Sequence, residues 1–430
     1  MTVPPPLVFC LVAMEGPDPY SQAGGLGVRV SGLATALARS GHPTHLVFCG
    51  DPARPAVEPH GRLTLWRVAQ AISARHPQGV YAGETEKADA LGASLPPRLV
   101  AELLAPAIRA GSLPVAIFED WHAAPWAHRT SDLLHAAGLR DRALILWNAN
   151  NQYGLERLDL GTLAFVSGLT TVSRFMKQLL LGRFGAEAVV IPNGLPDDAF
   201  RAIAPDEVRL LRGAADPSRL LVKIGRYDPD KRWWQAVRAV AELRRRGRRV
   251  RLLVRGGPEP HGREVLHLAR ALGLRVRAWD APVGGAADLA GALRQTAEAD
   301  IVELRAFLPP ELLPVLYQAA SAVLANSGFE PFGLVGLETM AAGGVAVVGA
   351  TGEDYARHLH NSLVIETEAE VELRLAIETV LDDPARAERL RQAARATART
   401  YRWPLILADD LLPRLPILAA RQAVRWPGPG

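Results

Sequence analysis

The chain has 430 residues, 49% of them hydrophobic and 22% charged, with 49 basic against 45 acidic side chains for a formal charge of +4. That length holds two or three domains with sizeable cores, and so balanced a charge argues against nucleic acid as a partner. Two cysteines, Cys10 and Cys49, are too few for a disulfide framework or a metal site and fit a reducing compartment.

In chain order, Leu7–Val12 is a short apolar run with no basic stretch before it and no small-residue cleavage site after it. It reads as a first β-strand and not as a signal peptide. A helix pattern follows, with Leu26, Val30, Leu33, Ala34 and Leu37 at helical spacing and Gly41 and Pro43 as stop signals. Further strands are expected at Thr44–Phe48, Val115–Phe118, Ala143–Leu146, Leu169–Val172 and Ala188–Ile191. The turn-rich Ile191-Pro192-Asn193-Gly194-Leu195-Pro196 then breaks the pattern. Alternation restarts with strands at Leu220–Gly225, Val250–Val254, Arg275–Ala278, Val323–Ala325 and Val345–Val348. Trp233, Ala236, Val237, Val240 and Leu243 mark a helix stopped by Gly247. Strands alternating with helices imply an α/β fold, with parallel doubly wound sheets covered on both faces. The expected domains are 1–195 and 196–405, with 406–430 as a helix and tail whose last residues, from Trp426, are frayed. No run reaches the roughly 20 apolar residues that span a bilayer, so the expected location is cytoplasmic. The arginines between Arg244 and Arg251 leave a peripheral membrane contact open, although cations at a helix C-terminus are the simpler reading.

Three constellations carry chemistry. Gly24-Gly25-Leu26-Gly27 opens the first helix, where unpaired N–H groups and the dipole suit a phosphate; a plain tight turn is the other reading. Its spacing is not the dinucleotide fingerprint, because the third glycine position is Val30, so NAD is disfavoured. Arg226 and Lys231 flank a turn after the first strand of the second half, where ligands sit in open α/β sheets, and two cations there suit a diphosphate. Glu330 lies in a loop and Glu338 in the helix after it; if the helix starts at Gly333, the carboxylates are on the order of 10 Å apart, which suits two ends of an extended ligand.

The glycine loop, the Ile-Pro-Asn-Gly linker, the Gly-Arg…Lys turn and the Glu–seven residues–Glu segment occur in the order found in family 4 retaining glycosyltransferases, relatives of glycogen and sucrose synthases. The chain resembles that family from about Leu7 to about Trp403. The resemblance implies the GT-B fold, two facing Rossmann-like domains with an interdomain cleft, and a hexosyltransferase using a nucleotide-diphosphate sugar with no metal or other cofactor. The N-terminal domain would be the acceptor side and the C-terminal domain the donor side. Donor contacts would come from Gly24, Gly25 and Gly27, from Arg226 and Lys231 on the diphosphate, from Glu330 on the sugar with Pro331, Phe332, Gly333 and Leu334 around it, and from Glu338 on the ribose. Glu330, Arg226 and Lys231 would be the catalytic set. Relatives carry a His-Ala-His-Asp-Trp-His-like segment where this chain has Ile117-Phe118-Glu119-Asp120-Trp121-His122, which puts Glu119 at the position of a sugar-contacting His. Trp147-Asn148 stands where relatives often have His-Asn. Glu119, Asp120, Trp121, His122, Asn148 and Arg174 are the expected acceptor or sugar contacts. The acceptor, a glycan, lipid or small molecule, is open. The alternatives are a sugar-nucleotide epimerase on the same fold and a non-catalytic relative that binds a sugar nucleotide or glycan.

Overall fold

A computed structural model describes residues 6–426, in two compact units. The first runs to Pro196 and takes in the chain again from Tyr401; the second is Asp197–Thr400.

The first unit is built on eight strands: β1 (Leu7–Ala13), β2 (Thr44–Cys49), β3 (Val57–His60), β4 (Leu63–Val68), β5 (Leu113–Glu119), β6 (Leu144–Ala149), β7 (Gly168–Thr171) and β8 (Val189–Val190), in the order β3-β4-β2-β1-β5-β6-β7-β8. All pairs are parallel except β3 with β4. β1 lies centrally, and its near-continuous apolar run is buried on both faces, as a doubly covered parallel strand requires. Helix α1 (Gly25–Arg39) turns Leu26, Val30, Leu33 and Leu37 inward. It closes as the sequence predicts: Gly41 has φ 95° and the His42 N–H donates to the Leu37 carbonyl at 3.1 Å. Further along, α2 spans Glu84–Arg98 and α3 spans Arg174–Phe184, the latter capped by Ser173 Oγ accepting from the Met176 N–H at 3.2 Å.

The second unit has seven parallel strands: β9 (Arg219–Ile224), β10 (Val250–Arg255), β11 (Val276–Trp279), β12 (Ile301–Leu304), β13 (Ala322–Ala325), β14 (Ala346–Val348) and β15 (Leu363–Val364), in the order β11-β12-β10-β9-β13-β14-β15. Helix α4 (Trp233–Arg245) buries Trp233, Ala236, Val237, Val240 and Leu243. Gly247, at φ 77°, ends it with the Arg248 N–H on the Leu243 carbonyl at 3.0 Å. Helix α5 is Leu334–Ala341; it starts one residue after Gly333, which serves as the N-cap at φ 82°. Four of the arginines between Arg244 and Arg251 spend their charge locally. Arg244 pairs with Asp300 and Arg248 with Asp382, at 2.8 and 2.7 Å, Arg246 with Glu242 at 2.6 Å, and Arg251 is buried on the Leu293 and Thr296 carbonyls.

The chain end departs from expectation. Residues 401–405 belong with the first unit, and Trp403–Arg421 forms successive helical turns whose Trp403, Ile406, Leu407, Leu411, Leu415 and Leu418 enter that unit's core. Trp403 also explains two glycines: a Cβ on Gly32 would stand 2.3 Å from its Nε1, and one on Gly194 would stand 2.5 Å from its Cδ2. Of the expected frayed end, Pro427–Gly430 lies outside the described residues. No described helix is long and apolar enough to cross a membrane.

Candidate functional site

In the first unit the glycine loop follows the carboxyl end of β1, and three N–H groups at the loop already have a partner. Glu15, two residues beyond β1 and buried, accepts at Oε2 from the backbone N–H groups of Ala23, Gly24 and Gly27 at 3.1, 2.9 and 3.0 Å. Its Oε1 accepts from the Tyr81 hydroxyl at 2.7 Å. Burial and the Glu15 charge raise the Tyr81 pKa, which keeps that hydroxyl a donor. Gly24 caps α1 without a side-chain bond, so the Glu15 carboxylate supplies the negative charge that the helix start favours. A Cβ on Gly27 would sit 3.0 Å from Glu15 Oε2. Glu15 thus takes N–H groups expected to face a ligand phosphate or to form a plain tight turn; the signal for it in the sequence is an acid just past a strand end.

Glu119, at the end of β5, is fully buried and takes Arg29 Nε at 3.2 Å, Asn148 Nδ2 at 2.9 Å and Asn150 Nδ2 at 2.7 Å. Arg29, on α1, also donates to Asn193 Oδ1 at 2.7 Å and to the Ile191 carbonyl at 3.3 Å. Asn148 is equally buried, with its Oδ1 accepting from Thr170 Oγ1 at 2.8 Å. The polar atoms of these two expected sugar contacts are engaged by partners inside the unit. The acid standing at the family's His position has its own counter-ion, and Asn193 and Gly194 of the Ile-Pro-Asn-Gly segment are fixed by Arg29 and Trp403.

Asp120 is different. It has φ 70° and ψ 176°, a strained conformation for a residue with a Cβ and a frequent mark of functional positions. Its Oδ1 accepts from the Trp121 N–H at 3.0 Å and its Oδ2 from Asn151 Nδ2 at 2.7 Å, and burial pushes its pKa up to about 7. Trp121 is half-buried, with the Arg157 guanidinium 5.1 Å from the ring centroid; the same guanidinium lies 5.8 Å from the ring of exposed Tyr153. His122 is buried, pairs through Nε2 with Glu84 and has no partner at Nδ1; burial lowers its pKa. Arg174 is exposed at the first position of α3, and Trp126 is a core side chain.

In the second unit, Arg226 and Lys231 bracket the turn between β9 and α4. Arg226 is exposed, is in no ion pair among the described residues, and holds the turn through its carbonyl, which accepts from Trp233 Nε1 at 2.8 Å. Lys231 forms an ion pair with Glu330 Oε2, which also accepts from Ser327 Oγ at 3.0 Å. The Gly328 N–H donates to the Asp230 carbonyl at 2.6 Å, so the loop after β9 and the loop after β13 are tied together at their carboxyl ends. Glu338 projects from α5, half-buried, with no hydrogen bond or ion pair to its carboxylate among the described residues. Burial raises its pKa to about 7. Pro331, Gly333 and Leu334 are half-buried beside Glu330, whereas Phe332 turns inward, edge-on to Tyr355 at 5.8 Å.

Two further residues here were not expected. Lys223, on β9, is buried, donates to Asn326 Oδ1 at 2.7 Å and the Leu324 carbonyl at 3.1 Å, and lies 5.0 Å from the Trp233 ring centroid. Burial and the Lys231 charge lower its pKa. Glu353, in the turn after β14, is buried beside the Glu330 loop. The signal for it was an acid in a glycine-flanked turn beyond a strand. Among the described residues no cluster of three His, Cys, Asp or Glu could hold a metal ion.

The chain has the GT-B glycosyltransferase fold. It superposes on sucrose-phosphate synthase from Thermosynechococcus elongatus with a TM-score of 0.67 at 21% identity, covering 96% of this chain and 100% of that one. An α,α-trehalose-phosphate synthase from Burkholderia xenovorans in complex with glucose-6-phosphate gives 0.67 at 16% identity, covering 95% and 100%. Residues 285–397, within the second unit, match the family described as glycosyl transferases group 1. The chain is 35% identical over 178 residues to a D-inositol 3-phosphate glycosyltransferase of Actinosynnema mirum, covering 39% of this chain and 36% of that protein. It is 28% identical over 228 residues to a 2-deoxystreptamine glucosyltransferase of Streptomyces kanamyceticus, covering 51% and 52%. The matches thus span between about a third and a half of the length of these curated relatives.

Proposed function

We propose that the protein is a retaining glycosyltransferase that moves a hexose from a nucleotide-diphosphate sugar to an acceptor hydroxyl. The observation that carries this reading is the group at the carboxyl ends of β9 and β13: an exposed Arg226, a Lys231–Glu330 ion pair and a Glu338 with open acceptor oxygens. On this reading Arg226 and Lys231 take the diphosphate. They stabilise the charge that grows as the bond from the anomeric carbon to the diphosphate oxygen breaks, without a metal ion. Glu330 gives part of its pairing with Lys231 to the sugar hydroxyls, and Glu338 accepts from the ribose. As the bond to the diphosphate breaks, the acceptor hydroxyl oxygen bonds to the anomeric carbon and its proton passes to the departing diphosphate oxygen. In the first unit Asp120 and Trp121 are the acceptor candidates that remain after Glu119 and Asn148 are committed internally. The names of the curated relatives suggest a small polyhydroxylated acceptor. The buried, unpaired Cys10 and Cys49, with thiols pushed up to about 12, support a reducing compartment, the cytoplasm.

Thermal denaturation of the wild type and of Arg226→Ala/Lys231→Ala with UDP-, GDP- and ADP-sugars tests this. A donor at 100 times its Kd adds about 2.7 kcal/mol to the stability of the native state. One donor class should stabilise the wild type, fail on the double variant, and support transfer only in the wild type. Equal stabilisation and turnover in both proteins would refute the assignment.

A further inference from the structure

The turn after β14, Gly349-Ala350-Thr351-Gly352-Glu353-Asp354-Tyr355, is bonded to the Glu330 loop through Thr351, Gly352 and Tyr355. Thr351 Oγ1 accepts from the Glu330 N–H at 2.9 Å and reaches the Glu330 carbonyl at 3.1 Å. That carbonyl also accepts from the Gly352 N–H at 2.8 Å. The approach demands glycine, since a Cβ on Gly352 would lie 2.1 Å from the Pro331 carbonyl oxygen. The Tyr355 hydroxyl donates to the Gly333 carbonyl. Beneath this strap lies Glu353, only 5% exposed. Its Oε2 accepts from the Thr351 N–H at 3.1 Å, while its Oε1 is buried and has no hydrogen-bond partner. The Glu353 and Glu330 side chains flank Gly333: a Cβ there would be 2.8 Å from Glu353 Cγ and 3.3 Å from Glu330 Cγ.

A buried polar atom without a partner costs stability, and a second carboxyl beside Glu330 compounds the cost if both are charged. An apolar side chain would avoid both penalties but could not hold Thr351. We propose that Glu353 is a positioning residue for the donor site: through Thr351 it fixes the backbone of Glu330 to Gly333, and so sets the Glu330 carboxylate against Lys231 and the transferred sugar. The role in catalysis rests on the donor-site reading above; the mechanical role does not. Burial first, and then the Glu330 charge, push the Glu353 pKa up to about 8, so near neutrality the carboxyl is protonated and adds no charge beside Glu330. The charged groups that face it are Glu330 and, across Glu330, Lys231; Asp354 follows it in the turn, and the Tyr355 hydroxyl is engaged on Gly333. As pH rises through about 8 it ionises against Glu330 and loosens the strap.

The experiment compares wild type, Glu353→Gln and Glu353→Ala by amide exchange over residues 327–335, without ligand and from pH 6 to pH 9. Glu353→Ala should speed exchange in that segment at least fivefold at pH 7, and Glu353→Gln, which keeps the acceptor, should restore protection. In the wild type, protection corrected for intrinsic rates should fall between pH 7 and pH 9; in Glu353→Gln it should not. Unchanged protection in the alanine variant, or equal loss in both variants, would overturn the positioning role. This arm needs no donor, so it decides the proposal even when no nucleotide sugar binds, a result that counts against the donor-site reading alone. A second arm measures the affinity of UDP-glucose, GDP-mannose and ADP-glucose relative to the matching nucleoside diphosphates. For the donor class that binds, Glu353→Ala should lose the increment due to the sugar by about tenfold while diphosphate affinity holds, and Glu353→Gln should keep it. Loss of diphosphate affinity to the same extent would show general disruption and overturn the proposal.

Discussion

Replacing Glu119 by alanine leaves the Arg29 guanidinium, itself 2% exposed, with its charge uncompensated in the interior, and strips Asn148 and Asn150 of the acceptor for one N–H each. Breaking one side of a buried ion pair costs about 3–5 kcal/mol. The two amides add little to that, because Asn148 Nδ2 keeps Asn150 Oδ1 as an acceptor at 3.1 Å and Asn150 is half-buried, within reach of water. We therefore expect Glu119→Ala to destabilise the first unit by about 4 kcal/mol, near the top of what single substitutions do. Amide exchange of β5 and β6 reads this unit on its own, without assuming that both units unfold together. The expected change is roughly 100- to 1,000-fold faster exchange, from about 1.4 kcal/mol per factor of ten. Arg29→Met/Glu119→Leu removes both charges and should recover at least about 2 kcal/mol relative to the sum of the single losses. A loss below about 1 kcal/mol for Glu119→Ala, or strict additivity in the cycle, would refute the internal role and return Glu119 to the list of ligand contacts.

Glu15→Gln keeps one acceptor oxygen for the glycine loop but removes the charge from the start of α1; a cost of about 1 kcal/mol is expected, seen as faster amide exchange at Gly24–Gly27, and unchanged exchange there would refute Glu15 as the cap. Asp120 and Glu353 have folded-state pKa values raised to about 7 and about 8 from ordinary values of 3.8 and 4.5. Between those limits the folded chain holds protons that the unfolded chain has released, so stability should fall as pH rises from about 4 to about 8 and level off above. Glu353→Gln should remove its share of that slope and be more stable than the wild type at pH 9 in urea denaturation; an identical pH slope in the two proteins would show that Glu353 does not hold the proton.

Strands such as β1 and β9 were legible because burial on both faces leaves an unbroken apolar run, and α1 and α4 because a one-sided core contact imposes a period of 3.6 residues. The missed elements lack those marks. β3, Val57-Glu58-Pro59-His60, is a polar edge strand containing proline, and with β4 it escaped notice. β12 is four residues long, and β15 is two. The chain end was misplaced for a different reason. Prolines at 404, 413 and 416 break its helical signature into short turns, and the core it joins was laid down some 200 residues or more earlier in the chain. Residue type marked the Arg226 and Lys231 turn as basic and the Glu330 loop as acidic, but their pairing required β9 and β13 to lie side by side, a fact of sheet order that no local pattern contains.

The same distinction explains why Glu15 and Glu353 stayed hidden while Glu330 did not. A carboxylate that serves a ligand must keep oxygens open, so it stands in a loop or on a half-buried face, where sequence context points to it. Glu15 accepts four hydrogen bonds from its own unit, and Glu353 lies under the strap it supports. Both sit just beyond strand ends, where the backbone must leave the sheet ladder and find new partners for its N–H groups. An internal acid can satisfy several of those groups from one point, which a single water cannot do with the same rigidity. Each acid therefore fixes the shape of a loop that the donor-site reading requires to be preorganised. On that reading Glu15 and Glu353 should affect transfer through the order of their loops, with Arg226, Lys231, Glu330 and Glu338 left to meet the ligand.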